Sequence, residues 1–209
     1  MLDPARIKVI IYDCDGVLID SLESNLAYYN HILAHFALPP VSPDHVEVVH
    51  TGTARQVIDA LFAGTPHLEA AQQFQVTVPG DLFLHLIRAE PHIRDVLLRL
   101  RSKYRTAVAT NRGKSLGQVL RELGLHDLFD VLVSGFDVCR SKPDPECVEM
   151  ILERLGLTRD HALYIGDSRV DEATARAAGV TFLSYKNPSL NAAFHLKDHR
   201  ELMESIGLV

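Results

Sequence analysis

KVIIYDCDGV, at residues 8–17, is a short apolar run that leads directly into two aspartates. Such runs are typical of strands that are buried on both faces of a parallel sheet. The carboxyl ends of parallel strands form the ligand-binding edge of the sheet, so we expect Asp13 and Asp15 to lie there. Two carboxylates this close repel each other unless a cation or a proton offsets their charge. Gly16 supplies the flexibility for a turn that would direct both toward one site.

Similar apolar runs recur after residue 91, and amphipathic helical stretches separate them. This alternation predicts an α/β fold with a Rossmann-like parallel sheet and helices on both of its faces. Helices are predicted after Pro91, over Leu116–Leu123 and after Pro145. The predicted strands are Lys8–Tyr12, Thr106–Thr110, Val131–Ser134, Ala162–Gly166 and Val180–Ser184.

Residues 21–90 contain no such run, and no strand is predicted in them. Apolar residues from Leu22 to Phe36 recur at a three–four spacing, which predicts one long helix. Further helical segments are predicted near 53–63 and 80–89. The predicted organisation is therefore an α/β core of residues 1–16 and 91–209, with a helical cap domain of residues 17–90 inserted after the first strand.

The composition is that of an ordinary globular protein, with 47% hydrophobic and 23% charged residues. A formal net charge of −6 argues against nucleic acid as a partner. No apolar run approaches the roughly 20 residues that span a bilayer, and Met1–Lys8 lacks the pattern of a signal peptide. The 3 cysteines show neither metal-like nor disulfide-like spacing. We therefore expect a cytoplasmic protein without a membrane partner, whose oligomeric state the sequence leaves open.

Polar residues also follow the later predicted strands. Thr110 and Asn111 offer a hydroxyl and an amide that suit phosphate oxygens, and Lys142 precedes a helix as a fixed positive charge. Asp167 and Asp171 stand on either side of the start of another helix. Together these strand ends predict a cation site with oxygen ligands beside a phosphate-binding cradle.

These motifs, in this order, resemble those of the haloacid dehalogenase-like superfamily, and the resemblance spans nearly the whole chain. The position of the insert resembles the helical-cap subgroup, which includes phosphoglycolate phosphatase-like enzymes and β-phosphoglucomutases. The motifs are Asp13-Cys14-Asp15-Gly16-Val17, Thr110-Asn111, Lys142-Pro143 and Gly166-Asp167-Ser168-Arg169-Val170-Asp171.

The resemblance implies a phosphatase with a Mg²⁺ cofactor. Asp13 would be the nucleophile that forms an aspartyl-phosphate, and Asp15 would act first as acid and then as base. Mg²⁺ would be bound by the carboxylates of Asp13 and Asp167 and by the backbone carbonyl of Asp15. Asp171 would orient waters or Lys142 from behind these ligands.

The groups that would hold the transferring phosphoryl oxygens are Thr110, the backbone of Asn111 and Lys142. We expect the substrate to be a small phosphomonoester, with phosphoglycolate or a sugar phosphate as the leading choices. In the cap, Arg55 is predicted to contact the substrate beyond its phosphate. A surface pair with Asp59, four positions on, would instead give Arg55 a structural role.

Two other functions remain open at this point. A phosphohexomutase would use Asp13 and Asp15 in the same way, but those mutases carry a histidine five residues after the position of Asp20, where this chain has Asn25. A catalytically silent binding protein would usually have lost one of the acids, and this chain retains them.

Overall fold

Six parallel strands form the central sheet of the computed structural model, which describes residues 5–206. The predicted strands lie within one residue of their predicted bounds, so the α/β Rossmann-like fold is confirmed. An edge strand at Phe194–Leu196 is not predicted, because two of its residues are exposed and it has no apolar run. In spatial order the strands are β5 (Val131–Val133), β4 (Arg105–Ala109), β1 (Val9–Tyr12), β6 (Ala162–Gly166), β7 (Thr181–Tyr185) and β8 (Phe194–Leu196).

Side chains of β1 alternate between two apolar clusters, one on each face of the sheet. Ile10 and Tyr12 belong to one cluster, and Val9 and Ile11 belong to the other. The first cluster packs against α5 (Ile93–Leu100), α6 (Leu116–Glu122) and α9 (Arg200–Ser205), and the second against α7 (Glu146–Leu155) and α8 (Arg169–Ala178).

None of the helices within residues 5–206 combines the length and apolar character needed to cross a membrane.

Between β1 and β4 the chain forms a helical cap with its own apolar cluster, which includes Ile32, Val57 and Phe62. The helix predicted from Leu22 is confirmed, and so is the one predicted near 53–63, which starts with a capping box between Thr53 and Gln56. The two remaining helices are short and were not predicted. The cap helices are α1 (Leu22–His35), α2 (Val46–Thr51), α3 (Ala54–Leu61) and α4 (Leu68–Gln75).

The two linkers between core and cap pair with each other as β2 (Ile19–Asp20) and β3 (Arg88–Ala89), which are antiparallel. The prediction of a helix near 80–89 is therefore wrong. A single 3₁₀ turn, Leu84–Leu86, stands in its place directly before β3. Next to β3, the Glu90 N–H donates to the carbonyl of Leu18 at 2.9 Å. Pairing across the linkers thus satisfies backbone groups that a helix would otherwise have to satisfy.

Candidate active site

The turn after β1 places Asp13 and Asp15 at the carboxyl edge of the sheet, where both side chains are buried. Gly16 closes this turn with a φ of 79°. A Cβ at Gly16 would lie 2.1 Å from Asp167 Oδ2, so the loop after β6 could not approach as closely with any other residue there. Glycine is required here for both the backbone conformation and the contact.

Lys142 lies between two acidic side chains. Its Nζ is 2.6 Å from Asp171 Oδ1 and 2.8 Å from Asp13 Oδ1, and it donates to the Tyr164 hydroxyl at 3.0 Å. Burial disfavours the ionised lysine, but the charges of Asp13 and Asp171 outweigh burial and hold the pKa of Lys142 well above its usual value. The site therefore contains a permanent, buried positive charge beside Asp13.

Asp171 is fully buried behind Lys142. Its Oδ1 accepts from Lys142 and from the Tyr164 hydroxyl, the latter at 2.9 Å, and its Oδ2 accepts from the Ser168 N–H at 3.1 Å. A Cβ on Gly166 would lie 2.3 Å from the Asp171 Cβ, which shows how tightly this residue packs against the end of β6. Asp171 therefore holds Lys142 in place, as an orienting residue must.

The carboxylates of Asp13, Asp167 and Asp171 have oxygen atoms within 4.8 Å of one another. Asp167 Oδ1 is buried and has no hydrogen-bond partner within residues 5–206. Burial, followed by repulsion from Asp171, raises the pKa of Asp13 to about 7, although Lys142 acts in the opposite direction. A buried carboxylate oxygen without a donor favours a cation, and this set of hard oxygen atoms fits a divalent ion such as Mg²⁺.

Asp13 and Asp167 are the carboxylates with the capacity to hold that ion, since both oxygens of Asp171 already accept hydrogen bonds, Oδ1 from Lys142 and Oδ2 from Ser168. The Asp15 carboxylate is also occupied, because Arg112 pairs with both of its oxygens. Arg112 Nε donates to Oδ2 at 2.9 Å, while a second guanidinium nitrogen and the Ser21 hydroxyl both donate to Oδ1. Only the backbone carbonyl of Asp15 therefore remains for a metal.

The Arg112 pair also sets the charge of Asp15. Burial alone would raise the pKa of this carboxyl, but the guanidinium and the Ser21 hydroxyl lower it to about 2. Asp15 is thus ionised in this arrangement and has no proton to give. It can serve as an acid only after Arg112 has moved away.

His50, on α2 of the cap, also reaches the acidic cluster. Its Nε2 lies 3.3 Å from Asp167 Oδ2. Burial would lower the pKa of His50, but the hydrogen bond and charge of Asp167, with Asp15 and Asp13 behind them, raise it to about 9. A cation of the cap therefore contacts one of the carboxylates that would bind the metal.

Thr110 and Asn111 lie at the end of β4, next to Lys142. The Thr110 hydroxyl accepts from the Arg112 N–H at 3.1 Å. Asn111 Oδ1 accepts from the Lys142 N–H at 2.9 Å, and Asn111 Nδ2 donates to the carbonyl of Thr51 in the cap at 3.0 Å. The side-chain amide of Asn111 thus joins β4 to the Lys142 loop and to the cap.

A cavity of about 490 Å³ lies between the core and the cap above these residues. Asp13, Asp15 and Lys142 lie at its core side, and aromatic residues such as Tyr28 and Phe83 line its cap side. The structure does not bring Arg55 to this cavity. Its side chain is 79% exposed and lies 3.8 Å from Asp59, which is the surface pair that sequence reasoning also allowed.

Sequence reasoning did not single out His50. For Arg112, which follows Thr110-Asn111, it left open whether the residue adds positive charge close to the phosphate site or is solvated. Neither belongs to a motif with a recognisable spacing, and nothing local distinguishes His50 from the other histidines of the chain. Arg112 follows Thr110-Asn111 directly, and it lines the cavity next to the predicted phosphate-binding residues. Its pairing with Asp15, 97 positions away, depends on the tertiary fold.

The fold and the strand-end site define a class of protein. Residues 10–185 match the model of haloacid dehalogenase-like hydrolases. The chain belongs to this family, and the prediction of a family hydrolase is confirmed.

Individual relatives and a solved structure agree with this assignment. The chain is 30% identical to a phosphoglycolate phosphatase of Cereibacter sphaeroides, over 92% of this chain and 91% of that protein. It is 29% identical to an N-acetylmuramic acid 6-phosphate phosphatase of Pseudomonas aeruginosa, over 95% and 94% of the two chains. A family hydrolase structure from Geobacter sulfurreducens, of subfamily IA, superposes with a TM-score of 0.78 at 35% identity, covering 97% of both chains.

Proposed function

We propose that this protein is a magnesium-dependent phosphatase that hydrolyses a small phosphomonoester through an aspartyl-phosphate on Asp13. The observation that carries the proposal is the position of Asp13 at the floor of the cavity, with Lys142 Nζ 2.8 Å from its carboxylate and Asp167 beside it. The names of the Cereibacter and Pseudomonas relatives support a phosphorylated small molecule as substrate.

In the first half-reaction, an oxygen of Asp13 forms a bond to phosphorus and the bond from phosphorus to the ester oxygen breaks. Asp15, released from Arg112 and protonated, donates its proton to that oxygen, and the alcohol leaves. In the second half-reaction, water attacks phosphorus and Asp15 takes its proton. The bond to Asp13 then breaks, and inorganic phosphate is released.

Positive charge beside the phosphoryl group makes the attack of one anion on another feasible. Lys142 supplies part of it permanently, because it is buried and held by Asp171. A metal bound by Asp13, Asp167 and the Asp15 carbonyl would supply the rest as a Lewis acid. Thr110 and the backbone of Asn111 would position the phosphoryl oxygens between these charges.

Release of inorganic phosphate from a panel of phosphomonoesters tests the proposal. Purified protein should be inactive in EDTA and active after Mg²⁺ is added. Ca²⁺ should substitute poorly, because its larger and looser coordination sphere would misplace Asp13. Full activity in chelator would contradict the metal dependence, and no turnover of any ester would favour the silent binding protein. A phosphorylated isomer as product, in place of inorganic phosphate, would identify the mutase.

A further inference from the structure

Arg112 is a largely buried cation in the cavity wall, and the catalytic steps above require of it only that it release Asp15. Its side chain is 10% exposed. We propose that Arg112 selects the substrate by binding a carboxylate next to the ester oxygen, and that Asp15 occupies the guanidinium until such a substrate replaces it. This inference rests on the proposed phosphatase function.

The contact with Asp15 shows which group the guanidinium is arranged to bind. Nε and a terminal nitrogen meet the two oxygens of one carboxylate side by side. The remaining terminal nitrogen donates to the Ser115 hydroxyl at 3.2 Å, and Asn25 Oδ1 accepts a further N–H at 3.3 Å. Such a two-point fork matches the geometry of a planar carboxylate and would match a sugar hydroxyl poorly.

The same contact also explains why the substrate should provide this carboxylate. Asp15 must approach the ester oxygen to protonate it, and it cannot do so while both of its oxygens are paired with Arg112. Moving Arg112 away without a replacement would leave a buried charge unpaired, which is costly. A substrate carboxylate would take the place of Asp15, so the ion pair is exchanged rather than broken.

The position of the pair limits where that carboxylate stands. The proton of Asp15 goes to the ester oxygen, so a cation touching Asp15 lies where the organic part of the substrate begins. The other cations that line the cavity are engaged differently. Lys142 lies on Asp13 and Asp171, His50 lies on Asp167, and the exposed Lys114 lies over the ring of Phe136 at 4.6 Å.

Two substrates of equal size separate the carboxylate from the rest of the ester. In 2-phosphoglycolate the carboxylate is one carbon from the ester oxygen, and in 2-hydroxyethyl phosphate a hydroxymethyl group replaces it. We expect Arg112→Gln to lower kcat/KM for 2-phosphoglycolate about 100-fold. For 2-hydroxyethyl phosphate, kcat/KM should stay within about threefold or rise, because the wild-type enzyme gains nothing from Arg112 there. Lys114→Gln removes a neighbouring positive charge and serves as the control. It should leave kcat/KM unchanged for both esters.

Binding of phosphonates measures recognition without turnover. By calorimetry with Mg²⁺ present, wild-type protein should bind 3-phosphonopropionate about 100-fold more tightly than propylphosphonate, and Arg112→Gln should remove this preference. Arg112→Lys keeps the positive charge but cannot donate two parallel hydrogen bonds, so it should recover only a small part of the preference for 3-phosphonopropionate. It also serves as the test variant if circular dichroism shows that Arg112→Gln does not fold.

The outcomes distinguish this inference from the proposed function. Equal losses of kcat/KM for both esters, or equal binding of both phosphonates by wild-type protein, would overturn the role of Arg112 and leave the phosphatase intact. Undiminished kcat/KM for 2-phosphoglycolate in Arg112→Gln would do the same. Wild-type protein that hydrolyses neither these esters nor p-nitrophenyl phosphate would overturn the proposed function, and this inference with it.

Discussion

The two ends of the cavity are constructed differently. At the core end, Lys142 is in contact with Asp13 and Asp171 at 2.8 and 2.6 Å. Asp13 and Lys142 come from loops that follow parallel strands, and Asp171 comes from the first turn of α8. The contacts that cross from the core to the cap are longer: Asn111 to Thr51 at 3.0 Å, His50 to Asp167 at 3.3 Å and Arg112 to Asn25 at 3.3 Å.

This difference suggests a division of roles, in which the core end carries out the phosphoryl transfer and the cap end selects the substrate. A buried lysine fixed by two carboxylates cannot change partner without a large cost, so the phosphoryl end is preorganised. Contacts that cross between core and cap can be exchanged as the cap moves or a substrate enters. The predictions below test whether the division holds, in order of decreasing effect.

Asp13→Asn should have the largest effect, because it removes the nucleophile while keeping the size of the side chain. We expect kcat to fall by about four orders of magnitude or more, for every phosphomonoester tested. The unfolding midpoint should not fall, because the substitution also removes a buried, crowded negative charge. Retention of more than about one per cent of wild-type kcat would contradict a covalent route through Asp13.

Much of the core end could be predicted because each part is a local pattern. An apolar run followed by an acid places Asp13 at a strand end whatever the rest of the chain does, and Asp167 follows β6 in the same way. The position of His50 could not be predicted, because it depends on how the cap docks on the core. The pairing of Ile19 with Ala89 across the linkers is likewise a tertiary contact that local helix propensity does not report.

Lys142→Met tests whether the core end is as rigid as its contacts indicate. The variant leaves Asp13 and Asp171 facing each other without their shared cation. We expect the free energy of unfolding at pH 8 in EDTA to fall by about 3–5 kcal/mol. Urea denaturation measures it, and Mg²⁺ should restore part of the loss by neutralising the same carboxylates. Unchanged stability would show that the lysine is not a structural part of the cluster.

A variant of His199 tests the linker between core and cap, because His199 is hydrogen-bonded to Val17 at the start of that linker. Its Nε2 donates to the carbonyl of Val17 at 2.7 Å, its ring stacks on Tyr185, and its buried Nδ1 has no partner within residues 5–206. Burial lowers the pKa of His199 from 6.5 to about 4, against the opposing charges of Glu90 and Asp198. The unfolded chain therefore takes up this proton more readily than the folded one.

The stability that His199 contributes should accordingly be present above pH 6.5 and be lost as the pH falls toward 4. The depressed pKa corresponds to about 3 kcal/mol over this window. His199→Gln retains a donor for the Val17 carbonyl but does not titrate. Urea denaturation at several pH values should show a smaller loss of stability for His199→Gln than for wild type between pH 6.5 and 4.5. Parallel curves for the two proteins would contradict the assignment.

Arg55→Ala should have the smallest effect, and it is the strictest test of the division between the two ends. An arginine that is 79% exposed and 3.8 Å from Asp59 forms a surface ion pair, which is worth about 0–1 kcal/mol. We expect the unfolding free energy to change by less than about 0.5 kcal/mol. The kcat/KM for 2-phosphoglycolate should change less than about twofold, in contrast to the Arg112→Gln variant. A tenfold or larger loss for 2-phosphoglycolate, with p-nitrophenyl phosphate unaffected, would show that cap closure carries Arg55 to the substrate. Selection would then be shared between a residue of the core and a residue of the cap, and Arg112 alone would not account for it.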